Sequence, residues 1–350
     1  MRRIGLGLIL AAVAAMANGS GALAAPKWAI VVHGGAGVIE RRDLTPAQEA
    51  AYRAAMTKAA EAGVQVLQKG GSALDAVEAT IRLLEDDPLF NAGRGAVFTA
   101  AGRNELDAAI MDGRTLAAGA VAGVTRTRHP ISLARAVMER SSHVMLQGEG
   151  ADAYSLEQGL EQVDPAWFFT ERRWRSLEKA LGSQRLPIPD PPKGAEDRPD
   201  PAEGLAHDEG KHGTVGAVAL DVRGNVAAAT STGGTTAKRW GRVGDSPIIG
   251  AGTYASNASC AVSGTGTGEY FIRLTVARDI CALVEMKGMS LQAAADQVVQ
   301  TELTRLGGDG GVIAVAPDGQ IAWSYNTSGM YRAAAAEGRP LTVGIYKDEP

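Results

Sequence analysis

Apolar and polar positions along the chain follow two periodicities, which predict helices and strands in turn. Helical spacing of apolar residues predicts helices over 45–68, 72–86, 130–140, 152–160, 269–286 and 290–306. Apolar or alternating runs bounded by turn residues predict strands over 28–32, 106–112, 116–125, 214–220, 225–231, 312–316 and 320–325. The run His33–Gly37 after the first strand predicts a tight backbone loop. Strands, then helices, then strands recur in each half, which predicts a layered α+β fold.

A polar segment separates the two halves. Residues from about 182 to 210 are rich in Pro, Asp, Glu, Gly and Lys, which predicts a mobile linker. Directly after Lys211 and His212, Gly213-Thr214 opens an apolar alternating run. A threonine hydroxyl is a weak nucleophile until a base takes its proton, and a cut between Gly213 and Thr214 would supply that base as the α-amine. A strand that simply begins at Thr214 is the alternative, and the Gly-Thr pair alone favours it.

The N-terminal residues indicate export. Arg2 and Arg3 precede an apolar run from Ile4 to about Met16, and small residues follow up to Ala25. This is the pattern of a cleavable secretory signal over 1–25. An uncleaved anchor is the alternative, but the apolar run is shorter than the roughly 20 residues that span a bilayer. We therefore expect a secreted protein of the bacterial periplasm, with no membrane partner after removal of the signal.

The remaining composition is that of an ordinary globular protein. The chain is 45% hydrophobic and 21% charged with a formal net charge of -4, so it can build a large core, and nothing in it points to a nucleic-acid partner. Its five histidines are scattered without a His-Glu-x-x-His motif, which argues against metal hydrolysis. Cys260 and Cys281 could pair in an oxidising compartment. Each lies in an apolar context, however, and we expect two free thiols without an essential disulfide.

Three segments after Thr214 carry the residue types that an amide hydrolase acting on an amino acid needs. Arg242 and Asp245 could grip a zwitterion, with the guanidinium on the α-carboxylate and the carboxylate on the α-ammonium. An ordinary surface ion pair is the alternative. Residues 230–234 place hydroxyl groups at the end of a strand. The alternating glycines of 264–268 resemble a nest whose N–H groups could hold an oxyanion, whereas their spacing does not fit a dinucleotide fingerprint.

Taken together and in this order, the segments resemble the family of plant-type asparaginases and isoaspartyl peptidases, which are N-terminal-nucleophile hydrolases. The matching segments are His33–Gly37, Pro88–Gly95, Leu106–Val124, His212–Gly216, Ala229–Gly234, Gly241–Gly252, Ser263–Glu269 and Asn326–Tyr331. The resemblance implies an αββα four-layer sandwich of the α+β class. It also implies self-cleavage into an α subunit of residues 26–213 and a β subunit of residues 214–350, and a dimer of such αβ heterodimers.

The resemblance further implies roles for single residues. Thr214 is the implied nucleophile, and Thr232 the hydroxyl that contacts its freed amine. Thr265 and the N–H of Gly266 are implied to form the oxyanion hole, next to the bound substrate. The implied clamp on the aspartyl moiety is Arg242 with Asp245, and Asn91 is implied to orient the catalytic region.

No organic cofactor is expected, but the resemblance implies a structural sodium ion. The segment 84–94 corresponds to a loop that binds sodium through main-chain carbonyl oxygens. The implied ligands are Leu84, Glu85, Asp87, Phe90, Ala92 and Arg94. Arg94 replaces the aliphatic residue that the family pattern has there.

The implied reaction is hydrolysis of the side-chain amide of L-asparagine and of β-aspartyl dipeptides, with release of L-aspartate. A glycosylasparaginase is the alternative within the family, because it shares the clamp of 241–247, although its oxyanion segment usually differs from 264–269. A serine esterase could use His33-Gly34-Gly35, but the chain has no Gly-x-Ser-x-Gly motif. A non-catalytic periplasmic amino-acid-binding protein would explain the signal and the clamp, but it would not need Gly213-Thr214.

Overall fold

The computed structural model describes residues 27–195, 204 and 213–349. The predicted signal over 1–25 lies outside these residues, as do Lys211, His212 and about half of the predicted linker. Within the described ranges, no helix has both the length and the apolar character that crossing a membrane requires.

The helices largely follow the predicted segments. They are α1 (Pro46–Gln68), α2 (Ala73–Asp86), α3 (Pro130–Arg140), α4 (Gly148–Glu157), α5 (Glu171–Ser183), α6 (Gly268–Leu274), α7 (Val276–Lys287), α8 (Leu291–Asp296) and α9 (Thr304–Leu306), with a π-helical segment, Gln297–Leu303, between the last two. Short 3-10 turns occupy Arg41–Asp43, Gly93–Gly95 and Pro165–Phe168. Thr45 forms a capping box at the start of α1, and Ser72 forms a second one at the start of α2.

The strands form two sheets. They are β1 (Ala29–Gly37), β2 (Leu106–Asp112), β3 (Ala118–Val124), β4 (Met145–Gln147), β5 (Val215–Leu220), β6 (Val226–Thr232), β7 (Thr253–Ala255), β8 (Ala261–Gly266), β9 (Gly310–Val315), β10 (Ile321–Tyr325), β11 (Gly329–Ala336) and β12 (Arg339–Tyr346). The larger sheet has the order β12-β11-β1-β5-β6-β2-β3-β4, and the smaller has the order β10-β9-β8-β7. All pairs are antiparallel except β3 with β4.

Three apolar clusters define four layers. One cluster packs α1, α2 and α3 onto the outer face of the larger sheet. A second joins the inner faces of the two sheets, through residues such as Val31, Val218 and Ile313. The third packs α7 and α8 onto the outer face of the smaller sheet. This is the αββα sandwich that the sequence resemblance implies, because each sheet buries one face against helices and the other against the second sheet.

The strand alternation decides what lies between the sheets. In β5, Ala217 and Ala219 face the helices, whereas Val218 and Leu220 face the second sheet. Because side chains alternate along a strand, position 214 lies in register with the inner face. The same rule puts Thr230 and Thr232 of β6 on the inner face. Polar side chains from several strands therefore meet at one end of the layer between the sheets.

Several predicted boundaries differ from the structure. The predicted loop His33–Gly37 is wrong: β1 continues to Gly37, which pairs with Gly329, and an irregularity between His33 and Gly35 absorbs the extra residue. The predicted helix over 269–286 is two helices, because Thr275 adopts φ +49° between them. Helix α5 and strands β11 and β12 were not predicted.

The expectation of two free thiols is also wrong, because Cys260 and Cys281 form a disulfide. Cys260 directly precedes β8, and Cys281 lies on α7, which packs over that strand in one apolar cluster. Their Cα atoms are 5.4 Å apart, within the range that a disulfide spans. The apolar surroundings that suggested two separate buried thiols belong to one apolar cluster that contains both cysteines. Tertiary packing brings the two together, so their spacing in the sequence does not reveal the pairing.

Candidate active site

Thr214 lies at the end of the inner layer, immediately before β5. Its side chain is largely buried and donates a hydrogen bond from Oγ1 to Thr232 Oγ1, 2.9 Å away. Thr232 Oγ1 in turn accepts from the backbone N–H of Gly234 at 3.0 Å. These two bonds fix the orientation of the Thr214 hydroxyl. Its backbone nitrogen is still the amide that joins it to Gly213 in this single chain.

Asn91 connects the residue before Thr214 to the turn after β6. Its backbone N–H donates to the Gly213 carbonyl oxygen at 3.1 Å, and its own carbonyl accepts from Gly233 at 3.0 Å. Its side chain donates to the Gly234 carbonyl at 2.7 Å and accepts from the Val97 N–H at 2.9 Å. A backbone donor on the Gly213 carbonyl cannot be read from a sequence, because every residue except proline has the same N–H.

A buried hydrogen-bond chain lies behind Thr214 and joins the two sheets. His33 Nδ1 is 3.0 Å from the Thr214 carbonyl oxygen, and His33 Nε2 is 3.0 Å from Ser263 Oγ. A carbonyl only accepts, so Nδ1 carries the proton and Nε2 accepts from Ser263. Burial lowers the pKa of His33 to about 3, which keeps the ring neutral and this tautomer intact.

The chain continues away from His33. Ser263 Oγ is 2.7 Å from Thr230 Oγ1, which accepts from Thr253 Oγ1 at 2.7 Å. Gly216 is essential to this arrangement, because a Cβ there would collide with both Ser263 Oγ and His33 Nε2. Sequence reasoning treated His33 as part of a loop and missed this chain of polar side chains.

Thr265 and Gly266 end β8, on the same strand as Ser263 of this cluster. The Thr265 side chain is fully buried, and its Oγ1 has no hydrogen-bond partner among the residues that the structure describes. A buried hydroxyl without a partner is costly, so its presence suggests that a ligand atom completes it. A Cβ on Gly266 would collide with the Asp309 carbonyl and the Phe271 ring, so only glycine fits at this position.

Arg242 and Asp245 approach each other at the start of α6. A Cβ on Gly268 would lie 2.9 Å from both Arg242 Nη2 and Asp245 Oδ1, so the two side chains flank this glycine. The partner of Arg242 is Glu269, which accepts from Nε at 3.0 Å and from Nη2 at 3.1 Å in a forked pair. Sequence reasoning placed Glu269 in the oxyanion segment and missed this pairing.

Burial gives Asp245 an unusual acidity. Removal from water raises the pKa of its carboxyl to about 7, and the nearby Arg242 opposes the rise. Its Oδ2 has no hydrogen-bond donor within the described part of the chain. A buried carboxylate oxygen that lacks a donor and lies beside a guanidinium can accept an ammonium group.

A second buried pair lies next to Thr232. Lys238 Nζ is 3.8 Å from Asp107 Oδ2 and donates to the Glu105 carbonyl at 2.8 Å. Asp107 is paired with Thr232 across β2 and β6, so its side chain shares the inner face. Burial raises the pKa of Asp107, and the Lys238 charge opposes that rise. Neither residue was singled out from the sequence.

The implied sodium loop follows α2, and two of its carbonyl oxygens fit a cation. A Cβ on Gly93 would collide with the Glu85 oxygen, and a Cβ on Gly95 would collide with the Phe90 oxygen. Such oxygens suit a hard cation. The Arg94 guanidinium packs over the Trp167 ring, 4.8 Å from its centroid.

The Glu85 side chain has a separate structural role. Its Oε1 accepts from Ser231 Oγ at 2.6 Å and from the Ile131 N–H at 3.0 Å. Burial raises its pKa to about 8. Glu85 therefore ties β6, one residue before Thr232, to the start of α3. Among the described residues, no cluster of three or more His, Cys, Asp or Glu side chains could hold a metal ion.

The Thr214 hydroxyl lies at one end of the layer between two facing sheets, and helices cover both outer faces. This is the arrangement of the N-terminal-nucleophile class of hydrolases. The sequence profile of the asparaginase family matches residues 26–345. The chain belongs to this family.

Curated relatives cover nearly the whole chain. The isoaspartyl peptidase of Salmonella typhimurium is 50% identical over 322 residues, which are 92% of this chain and 99% of that protein. The probable isoaspartyl peptidase/L-asparaginase 2 of Arabidopsis thaliana is 43% identical over 91% of this chain and 99% of that protein. The isoaspartyl peptidase/L-asparaginase of Homo sapiens is 41% identical over 91% of this chain and 96% of that protein.

The hydrogen-bond chain behind Thr214 can be tested by substituting two buried serines. Ser263→Ala removes the donor to His33 Nε2, and leaving a buried acceptor unpaired should lower the free energy of unfolding by about 1 to 3 kcal/mol. Ser259 is also buried, but its Oγ has no partner in the described chain, so Ser259→Ala should be neutral or stabilising. Urea unfolding of both variants in a Thr214→Ala background compares them as single chains. Equal destabilisation by the two substitutions would contradict the assigned network.

Proposed function

We propose that this chain cleaves itself between Gly213 and Thr214 and then uses the freed Thr214 to hydrolyse β-aspartyl dipeptides and L-asparagine. The observation that carries the proposal is the placement of the Thr214 hydroxyl, held by Thr232, beside a Gly213 carbonyl held by the Asn91 N–H. The names of the relatives supply the substrate class, and the zwitterion clamp of Arg242 and Asp245 suits an aspartyl group.

Self-cleavage begins with attack of Thr214 Oγ1 on the Gly213 carbonyl carbon. The C–N bond breaks as the acyl group moves to oxygen, and the hydroxyl proton ends on the departing nitrogen. The Asn91 N–H already donates to the Gly213 oxygen, so it would stabilise the negative charge that forms there. Water then hydrolyses the ester, leaving a carboxylate on Gly213 and an α-amine on Thr214.

The freed α-amine supplies the base for turnover. Its unperturbed pKa of about 7.7 to 8.0 makes it a fair base near neutral pH. Thr214 Oγ1 attacks the side-chain carbonyl of the aspartyl group, and the amine or ammonia leaves with a proton. Thr265 Oγ1 and the Gly266 N–H are the proposed oxyanion donors. Water then releases L-aspartate from the enzyme ester.

Arg242 and Asp245 are proposed to hold the α-carboxylate and the α-ammonium of that aspartyl group. A planar guanidinium binds a carboxylate through two parallel bonds, as Arg242 does with Glu269. The substrate carboxylate would therefore replace or share the Glu269 partner. Because the substrate carboxylate would form the same two bonds as the Glu269 carboxylate, the exchange would lose little of the free energy of the forked pair.

Sodium, export and assembly are further parts of the proposal. A sodium ion held by carbonyl oxygens of the loop 84–94 would keep Asn91 in place. The disulfide supports export to an oxidising compartment, because such bonds are rare in the reducing cytosol. We also propose a dimer of αβ heterodimers, on the basis of the family resemblance.

Cleavage makes the first prediction of function. The purified protein should contain two chains, one of which begins at Thr214, as seen by intact mass and N-terminal sequencing. Thr214→Ala should abolish both cleavage and hydrolysis because it removes the nucleophile. Thr214→Ser should keep some of each but turn over more slowly, because the hydroxyl of serine rotates more freely. Full activity from an uncleaved chain would refute the mechanism.

The clamp predicts substrate selectivity. Arg242→Lys keeps the charge but loses the planar fork, so kcat/KM for asparagine and β-aspartyl dipeptides should fall about ten- to a hundred-fold. Cleavage at Gly213 should continue, since it uses no free α-carboxylate. The unmodified enzyme should hydrolyse β-linked Asp-Leu but not α-linked Asp-Leu, because the α-linkage consumes the carboxylate that Arg242 binds. Equal hydrolysis of both isomers would mean that the clamp has another role.

The acidity of Asp245 predicts a pH dependence of product binding. The α-ammonium of L-aspartate needs the ionised carboxylate of Asp245, and the pKa of Asp245 in the unbound protein is about 7. The inhibition constant of L-aspartate should therefore be about ten-fold larger near pH 6 than near pH 8, since protonation competes with binding below that pKa. Asp245→Asn should bind weakly and lose this dependence. A constant that stays flat over the range would show that Asp245 does not contact the ammonium.

A further inference from the structure

A cavity adjoins the candidate active site. It has a volume of about 400 Å³ and lies between the segment 99–105 and the turn 238–241. Its lining includes Thr99, Arg103, Glu105, Lys238, Arg239 and Trp240. A cavity of this size can hold an amino-acid side chain with its backbone atoms.

Trp240 forms the outer wall in an unusual way. Its side chain is 95% exposed, and its backbone has φ +56°. Positive φ is rare for a bulky residue, and Ala237, three residues earlier, has φ +61°. Such strain clusters at ligand sites, where the conformation serves binding and not packing. The exposed indole is therefore held out beside the cavity without a partner from the described chain that would bury it.

Both walls of the cavity lead directly to the reacting residues. The turn ends at Gly241, next to Arg242 of the clamp. Lys238 donates to the Glu105 carbonyl, and a Cβ on Gly234 would lie 3.0 Å from Lys238 Nζ. Gly234 in turn donates to Thr232, which holds the Thr214 hydroxyl. The turn that lines the cavity is thus connected both to the clamp and to the residues that hold the nucleophile.

The charges at the mouth of the cavity are mostly positive. Arg239 stacks on Trp240 at 5.6 Å and donates to the neutral Gln184 at 2.6 Å. It forms no ion pair with any residue in the described ranges. Arg103 pairs with Glu105 at 3.4 Å. Among the described residues, the Arg239 guanidinium therefore has no acidic partner, and it lies next to an exposed aromatic ring.

We propose that this cavity binds the second residue of a β-aspartyl dipeptide, with Trp240 against its side chain and Arg239 on its free carboxylate. The chemistry matches, because that residue carries a carboxylate and a variable side chain on the same Cα. The enzyme then prefers β-aspartyl dipeptides whose second residue is large and apolar. This inference rests on the proposed function, since it assigns the leaving side of the same reaction.

L-Asparagine provides an internal reference, because its leaving group is ammonia and cannot enter the cavity. Trp240→Ala should lower kcat/KM for β-Asp-Leu relative to that for asparagine about ten-fold, through KM, since an apolar contact is lost. Trp240→Phe should restore most of the ratio. Met286→Ala, which removes another exposed apolar side chain on α7, is the matched control and should leave the ratio unchanged.

The carboxylate contact has its own test. Arg239→Gln should lower kcat/KM for β-Asp-Leu about ten-fold relative to its C-terminal amide, because a charge-assisted bond is lost only with the free acid. If the unmodified enzyme does not distinguish the acid from the amide, the role of Arg239 is refuted.

The outcomes separate this inference from the proposed function. Hydrolysis of neither substrate by the unmodified enzyme would overturn the proposed function itself. An unchanged ratio in Trp240→Ala, with both substrates cleaved, would overturn the cavity assignment alone. Equal loss of both activities together with a smaller assembly in light scattering would also overturn it, by showing that a second copy of the chain covers Trp240.

Discussion

The structure depends on the pairing of polar side chains inside a dry layer between two sheets. Alternation along the strands sends apolar residues into most of this layer, but at one end it sends in hydroxyl groups and an imidazole. A buried polar group is costly unless it has a hydrogen-bond partner. His33, Ser263 and Thr230 therefore form one chain across both sheets, and Thr214 is bonded to it through its carbonyl. The position of the nucleophile follows from this requirement.

Elements that local sequence patterns stabilise were predicted from the sequence. The long amphipathic helices, the β2-β3 and β5-β6 pairs and the border at Gly213-Thr214 were evident from the sequence. Strand β11 was not, because its alanine run has little strand propensity and is extended only by pairing with β1 and β12. The disulfide and the Arg242–Glu269 fork join residues whose proximity is created by tertiary packing. Family resemblance reached the proposed catalytic residues, but not the His33 chain or the Lys238–Asp107 pair.

The electrostatics of the proposed clamp, Arg242 with Asp245, suit a zwitterion. Arg242 is already held in a forked pair, which fixes the plane of its guanidinium before any ligand arrives. Asp245 is the less settled partner, since burial opposes its charge. A bound ammonium would remove that opposition. The proposed clamp would thus combine an oriented cation with a carboxylate whose charge the ligand itself would stabilise.

The strand order has a consequence for a chain cut before Thr214. In the larger sheet, β1 comes from the first half of the chain, yet it lies between β11 and β5, which both come from the second half. Strand β2 of the first half similarly pairs with β6 of the second. The two pieces are interwoven strand by strand, and the disulfide lies wholly within the second piece. No covalent bond is needed to keep them together, because separating them would mean tearing a central strand away from both of its neighbours: for this sandwich, dissociation and unfolding are the same event.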